Sequence, residues 1–448
     1  MKPGGAAQAP GGWDWPNTVP THVVQRWIDM QAIDALEQSA PPFWLAWQQR
    51  ALRELAANAA QVSGWWRRWL TVPPGQLTHR TLGQLPVLRR EDFRAAIESE
   101  GALRMPPWHG PTATKSTSGS SGVPVQFHLS ALSGRVVDSH YMADHHRHGR
   151  NLRLPTAALL TRFEEHPGAE HRMLPGDPWQ GIAPTAARRS MGASMREHAQ
   201  WLRRLNPAYL NTAPAVLAGI VDACEEGEPP PAGLQQVMTV GETVTPELRE
   251  RTLRMLGASI RDRYTCEEVG TVALQCPHDE SRYHVCVGNN IVEIVDDAGH
   301  AVAAGQPGRV LVTGLQHWAS PAVRYDLGDI ASMAPQCTCG AQVPVLFKLL
   351  GRKRFLVRLP SGERIFLKIV AKDFLRIAPV REFRVTQLTA QAMRVELVLE
   401  RALSPDEHAA LLAMLRKQVY ADFDYDIRQV DAIAWTPGAK RQDVVSLV

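Results

Sequence analysis

Apolar residues return at helical intervals across the first quarter of the chain. Between Val23 and about Arg104, Trp27, Met30, Ile33 and Leu36 lie three apart, and Leu45, Leu52 and Leu55 follow at intervals of seven and three. Residues 1–20 are rich in Gly, Pro and Ala and read as a loose tail. From about Thr112 to Arg352 the pattern alternates. Short apolar runs such as Ala157-Ala158-Leu159-Leu160 and Val237-Met238-Thr239-Val240 read as buried strands, and Met195–Leu205 and Pro246–Leu256 read as helices between them. Thr245-Pro246-Glu247 places an N-cap hydroxyl, a proline and an acid at one helix start. This alternation predicts an α/β core with largely parallel sheets.

Past Gly351 the pattern changes. Phe355–Leu359 and Arg364–Leu367 flank the turn sequence Pro360-Ser361-Gly362 and predict a hairpin. A helix near Ile369–Ile377, strands at Glu382–Thr386 and Arg394–Glu400, a helix from the capping box Ser404-Pro405-Asp406-Glu407 and a last strand at Asp426–Ala434 complete a small α+β unit. The fold class is therefore α/β, with a large multi-sheet N-terminal domain and a small α+β C-terminal domain. The predicted division is residues 1–350 (helical 20–110, α/β core 111–350) and 351–448.

The 448 residues allow two or three domains at ~150 residues each. A hydrophobic fraction of 44% with 21% charged residues describes a soluble globular protein. A net charge of +4 is too small to predict nucleic acid as a partner. No apolar run approaches the ~18 residues of a membrane span. Met1-Lys2-Pro3-Gly4-Gly5 lacks the apolar run of a secretory signal, which predicts a cytoplasmic protein. Nine of the 13 tryptophans, Trp65, Trp66 and Trp69 among them, fall in the first 110 residues and read as helix packing. Nothing in the pattern reads out an oligomeric state.

The stretch richest in chemistry is Lys115-Ser116-Thr117-Ser118-Gly119-Ser120-Ser121-Gly122-Val123-Pro124. Its glycines let backbone approach an anion, and its hydroxyls and N–H groups suit phosphate oxygens. It lacks the Gly-Lys-Ser/Thr ending of a Walker A loop, and by itself it also fits a flexible linker. Tyr264-Thr265-Cys266-Glu267-Glu268 follows a strand predicted at Ser259–Arg263, so an aromatic face and a carboxylate sit at a strand's C-terminal end, where α/β ligand sites form. Arg324-Tyr325-Asp326-Leu327-Gly328-Asp329 reads as an acidic turn suited to vicinal hydroxyls, and Gly351-Arg352 as a hinge.

Without a secretory signal the six cysteines read as metal ligands or free thiols. Cys276-Pro277-His278, His284 and Cys337-Thr338-Cys339-Gly340 hold the donors of a tetrahedral structural Zn²⁺ site. The proposed ligands are Cys276, His284, Cys337 and Cys339, with His278 as the rival of His284. Four free thiols are the bland alternative. Cys266, inside the tyrosine segment, reads as a small packed residue or a reactive thiol. His145, His146 and His148 crowd together, but neighbouring positions on a helix face different ways.

In order and spacing these segments resemble the adenylate-forming (acyl-CoA synthetase/luciferase) superfamily, most closely its phenylacetate–CoA ligase and coenzyme F390 synthetase-like branch. The resemblance covers about residues 110–355 by motif and extends more weakly to the C-terminus. It implies that Thr117, Ser118, Gly119, Ser120, Ser121 and Gly122 hold the ATP β- and γ-phosphates. It implies that Gly241 and Glu242, in Gly241-Glu242-Thr243, border adenine, and that Tyr264 stacks near it. Glu268 becomes a ligand to Mg²⁺, Asp329 the acceptor from both ribose hydroxyls, and Arg352 a contact to ribose or phosphate. Lys440, in Pro437-Gly438-Ala439-Lys440-Arg441, becomes the catalytic lysine at the α-phosphate. Members of this branch also carry a similar Cys…His…Cys-x-Cys set, in keeping with zinc.

Four departures stand out. The family's Gly and Ser/Thr in the tyrosine motif are Thr265 and Glu267; the hinge aspartate is Arg354; Gly-Lys is Ala439-Lys440; and the Gly- and aromatic-rich segment of phenylacetate ligases is missing. The expected activity is ATP-dependent conversion of a small carboxylic acid, aryl by preference though not phenylacetate, to an acyl-adenylate that passes to CoA. The alternatives are an amide-forming ligase with an amine acceptor and a non-catalytic nucleotide-binding protein. The acid pocket is expected from Met191–Met195 and Asn211–Pro214.

Overall fold

The computed structural model describes residues 21–116, 125–160, 169–172, 186–334, 336–350, 356–362, 364–366, 369, 371–433 and 444–448. The helical region consists mainly of helices Thr21–Gln38, Pro41–Val62, Gly64–Trp69 and Arg90–Glu100. Ser63 ends one helix and begins the next, its hydroxyl accepting from the Trp66 N–H. Trp44 and Trp66 are buried in the main apolar cluster, and Trp65 and Trp69 stack at 4.7 Å against it, so these tryptophans pack helices.

The central sheet has 12 strands. In spatial order they are Asn290–Val295, Pro307–Gly314, Tyr325–Ala334, Val345–Leu350, Tyr283–Val285, Gly270–Gln275, Ser259–Cys266, Gln236–Val240, Tyr209–Thr212, Thr156–Leu159, Ala186–Arg189 and Glu170–Arg172. The expectation of largely parallel pairing holds only from Ser259–Cys266 across to Ala186–Arg189. There, helices Met195–Leu205, Pro214–Glu225 and Pro246–Leu256 carry the chain back between strands. Beyond Cys266 the strands are joined without helices, and such connections leave only antiparallel pairing.

The helices of the parallel half are delimited by local chemistry. Ser194 and Glu197 form a capping box, and Asn206 closes that helix in the left-handed region at φ 46. Thr245 caps the helix that Gly257 ends at φ 64. Two sequence boundaries shift. The strand expected at Ser259–Arg263 continues through Cys266, placing Tyr264 within it. Arg324–Asp329 is not a turn but the beginning of the strand Tyr325–Ala334, because Tyr325 and Asp326 pair with Val312 and Leu311 on one edge and Leu88 bridges to Tyr325 on the other; Gly328, at φ 66, accommodates a local Asp326 Oδ1 bond at its N–H.

The C-terminal residues bury an apolar cluster of their own around Phe374, Phe383, Val385, Met393, Val395, Leu397, Leu411 and Leu415. Its hairpin pairs Leu356–Arg358 with Arg364–Phe366, and its second helix is Pro405–Gln418 with the Ser404–Glu407 capping box. Its sheet runs Asp424–Gln429, Ala392–Leu399, Val380–Gln387, Val444–Ser446. The strand expected at Asp426–Ala434 thus lies earlier, at Asp424–Gln429, where it pairs in parallel with Ala392–Leu399. The helix expected near Ile369–Ile377 is the shorter Ala371–Leu375. Phe383 is 1% exposed and stacks on Phe374 at 4.6 Å. Phe383→Ala is expected to destabilise this unit by about 3–5 kcal/mol, read as faster amide exchange in the strands Val380–Gln387 and Ala392–Leu399.

Candidate active site

The C-terminal ends of the parallel strands Tyr209–Thr212, Gln236–Val240 and Ser259–Cys266 lie side by side. This is where α/β sheets gather ligands. Gly241 leaves its strand at φ 88. Glu242 Oε2 then accepts from the Ala215 N–H at 3.2 Å. The helix Pro214–Glu225 has Ala213 at its N-cap and no side-chain cap of its own, so Glu242 supplies both an acceptor and a negative charge at that N-terminus.

Tyr264 is buried, and its hydroxyl donates to Asp329 Oδ2 at 2.9 Å. The bond joins the last parallel strand to Tyr325–Ala334. On that same strand, the Tyr325 hydroxyl donates to Glu268 Oε1 at 2.9 Å, and Arg90 approaches this oxygen at 3.7 Å. Burial, then the Glu268 charge, pushes the Tyr325 phenol up, so it remains a donor. Glu268 is 7% exposed whereas Glu267 faces outward, so only one of the two adjacent acids enters the site. The second oxygen of Glu268 has no hydrogen bond among the described residues. One available carboxylate oxygen fits Mg²⁺, which takes few protein ligands beside substrate phosphates.

The turn carrying Glu268 is pinned from beneath. Val269 O accepts from Asn289 Nδ2 at 2.7 Å and from His317 Nε2 at 3.0 Å, with Gly270 turning at φ 70. A carbonyl partner means that His317 Nε2 carries the proton. Cys266 lies just before this turn; burial, then the Glu268 charge, pushes its thiol well up, as befits a packed residue rather than a nucleophile.

A second cluster forms at the far end of the antiparallel strands. Cys276, His284, Cys337 and Cys339 offer four ligand atoms all within 4.8 Å of one another. The Cys337–Cys276 sulfurs are 3.7 Å apart, and Cys339 Sγ lies 3.4 Å from His284 Nε2. Gly340, at φ 85, closes the knuckle with its N–H on Cys337 O. His278 is exposed and meets the cluster only through its backbone N–H, so the imidazole present is that of His284. Burial pushes Cys337 up to about 12 and His284 down to about 4. Three thiols and one neutral imidazole fit tetrahedral Zn²⁺, which would favour the thiolates. The other histidines diverge: His146 meets Asp34 at 2.9 Å, His148 meets Asp144 at 3.3 Å, and His145 is buried.

Residues 182–318 match the AMP-binding enzyme family. The match spans Gly241, Glu242, Tyr264 and Glu268. The chain is also similar to 2-hydroxyisobutyryl-CoA ligase in complex with 2-HIB-AMP and CoA in the thioesterification state. The TM-score is 0.63, with 18% identity over 92% of both chains. An open conformation of that ligase with the same ligands gives 0.59, at 18% identity over 91% of this chain and 93% of that one. Its postadenylation state with 2-HIB-AMP also gives 0.59, at 18% over 92% and 91%. This likeness establishes the fold. No curated protein matches the chain by sequence.

Of the residues expected to hold nucleotide, Tyr264, Glu268 and Asp329 are drawn together through the strand Tyr325–Ala334, and Glu242 sits at the N-terminus of the helix Pro214–Glu225. Thr117, Ser118, Gly119, Ser120, Ser121, Gly122, Arg352, Arg354 and Lys440 lie outside the described residues. The strands flanking the loop pair antiparallel, from Thr112 opposite Ser130 to Ser116 opposite Gln126. Of the segments expected to form the acid pocket, Met191 and Met195 are buried in the apolar cluster, whereas Asn211 binds Arg263. Arg90, Tyr325 as a donor, and His317 had no sequence signal, since each depends on a contact across distant segments.

His317 is 1% exposed, and burial holds its pKa down to about 4. As the pH falls below about 6.5 the unfolded chain takes up this proton first, so stability declines from there toward pH 4. His317→Gln keeps a donor for Val269 O but does not titrate. It is expected to reduce the acid-side loss by on the order of 2–3 kcal/mol, measured by urea unfolding between pH 7 and 4.5.

Proposed function

We propose that the protein activates a small carboxylic acid with ATP and passes the acyl group to CoA. The observation carrying this reading is the Tyr264–Asp329 hydrogen bond beside buried Glu268, at the C-terminal edge of the parallel strands in a region matching AMP-binding enzymes. Tyr264 occupies one Asp329 oxygen and orients the carboxylate toward ribose hydroxyls. Glu242 and Gly241 border the base. Glu268 presents its open oxygen to Mg²⁺, which when bound offsets the phosphate charge. Thr117–Gly122 hold the outer phosphates, and Arg352 reaches ribose or phosphate.

A carboxylate oxygen of the acid attacks the α-phosphorus, the bond to the β-phosphate oxygen breaks, and pyrophosphate leaves. Lys440 stabilises the negative charge gathering on the α-phosphate oxygens. The CoA thiolate then attacks the acyl carbon of the mixed anhydride, and AMP leaves with the bonding pair. The residues near 351–355 act as the hinge that brings the C-terminal unit, with Lys440, to the first step and withdraws it for the second. Acid-dependent pyrophosphate exchange across a panel of carboxylic acids tests the reading; AMP binding without exchange for any acid would refute it. Lys440→Ala should slow adenylation by roughly 100–1000-fold while AMP affinity holds. Supplying CoA or amines and weighing the products identifies the acceptor.

The cluster of Cys276, His284, Cys337 and Cys339 supports a structural Zn²⁺, with four donors and no open position. Purified protein should contain about one zinc per chain. Replacing Cys337 and Cys339 with Ser should remove it and lower the unfolding temperature; unaltered zinc content would sink the assignment.

A further inference from the structure

We propose that Arg263 is a specificity residue that receives a second anionic group on the acid substrate. The inference rests on the acid-activating reading above and names the class of acid. Arg263 is 3% exposed, yet among the described residues no carboxylate is bonded to it. Its Nη2 donates to Asn211 Oδ1 at 2.6 Å, and its guanidinium lies 4.6 Å from the centre of the Tyr141 ring. Its Nε has no hydrogen-bond partner among the described residues.

The carboxylate in the same network, Asp144, gives its one hydrogen-bonded oxygen to another arginine. Asp144, 1% exposed, takes Arg150 Nη1 on Oδ2 at 2.6 Å, and His148 Nε2 lies 3.3 Å from its Oδ1, which makes no hydrogen bond among the described residues. Arg150 is equally buried, bonds Gln236 through Nε, and leaves Nη2 without a partner. With the remaining neighbour His145 held neutral by burial, two guanidinium charges face one carboxylate. The arginines are close enough that Arg263 disfavours the charge of Arg150.

Buried Arg324 meets Glu293 at 3.1 Å, half-buried Arg147 meets Asp34 and Glu37, each at 2.7 Å, and even Arg189, 8% exposed, has the Glu197 carboxylate 4.0 Å away. A buried charge without its partner is strongly unfavourable, so a surplus that persists points to an anion supplied from outside.

Placement indicates which anion. Arg263 immediately precedes Tyr264 on one strand, and successive strand side chains point to opposite faces. The reacting carboxylate belongs near the nucleotide, on the face of Tyr264 and Asp329. Arg263 lies behind that face, bonded to the segment Asn211–Pro214 from which the acid pocket is drawn. A guanidinium pairing with the reacting carboxylate would also occupy the lone pairs needed for attack. Arg263 therefore holds the far end of the acid, and a plain aryl ring would leave it unpaired.

Matched pairs differing only by methyl against carboxylate test this: valerate with glutarate, and 3-methylbenzoate with isophthalate. Equilibrium binding to the full chain with AMP present is read beside pyrophosphate exchange. At least one diacid should bind and exchange ~10–100-fold better than its monoacid. Arg263→Leu should abolish that preference, and Arg263→Lys should keep part of it, with AMP binding reporting the fold of each variant. Equal use of both members of each pair, binding of neither diacid, or a preference unmoved by Arg263→Leu would overturn the proposal. Diacid preference in binding with no exchange would retain it and refute the acid-activating reading.

Discussion

The geometry of the site depends on one buried arginine outside it. Arg324, 2% exposed, stands just before the strand Tyr325–Ala334 with φ at 51, a conformation that L-residues seldom adopt. Its guanidinium bonds Glu293 and the carbonyls of Gly83, Leu85 and Gly299. Its own carbonyl accepts from Leu88, and Asp326 N–H returns to Leu88 O. These bonds stitch the helical region to the sheet. They set where Tyr325 and Asp329 point, and they bring Arg90, two residues after Leu88, to Glu268. Removing the Arg324 side chain would leave the half-buried Glu293 without its cation and several carbonyls without donors.

The elements legible in the sequence were those with local signals. Capping boxes at Ser404 and the Thr245-Pro246 start identify helices because their hydrogen bonds lie within four residues. The hairpin around Pro360-Ser361-Gly362 is equally local. The parallel half was legible from its helical crossovers. What alternation alone could not show was the switch to antiparallel pairing after Cys266, since both kinds of strand bury similar apolar runs. The segment Arg324–Asp329 read as a turn for a related reason. Its polar residues carry turn chemistry, and only pairing with Leu311 and Val312 on one edge and Leu88 on the other makes it a strand.

The candidate site divides in the same way. The spacing of Tyr264, Glu268 and Asp329 is legible in the motif order shared with the adenylate-forming superfamily that the sequence resembles, but their mutual contacts are not. Which of Glu267 and Glu268 turns inward, and whether His278 or His284 faces the thiols, are decided by strand register. Arg263 was visible only as a strand residue. Its isolation follows from Asp144 being taken by Arg150, a relation among residues 6 and more than 100 positions apart.

The strand Ser259–Cys266 is a seam. On one side its pairing requires helical crossovers, and on the other it follows from short connections. These two modes assemble at different speeds, because distant parallel pairings close large loops before they gain contacts, whereas hairpins gain contacts at once. Tyr264 and Arg263 sit on the seam, and Asp329 arrives from the hairpin side. A chain with only one half formed therefore has neither the paired tyrosine and aspartate nor the surrounded guanidinium. On the proposed function, nucleotide affinity is a property of the joined halves, and a bound nucleotide would stabilise their union during folding as well as in the finished fold.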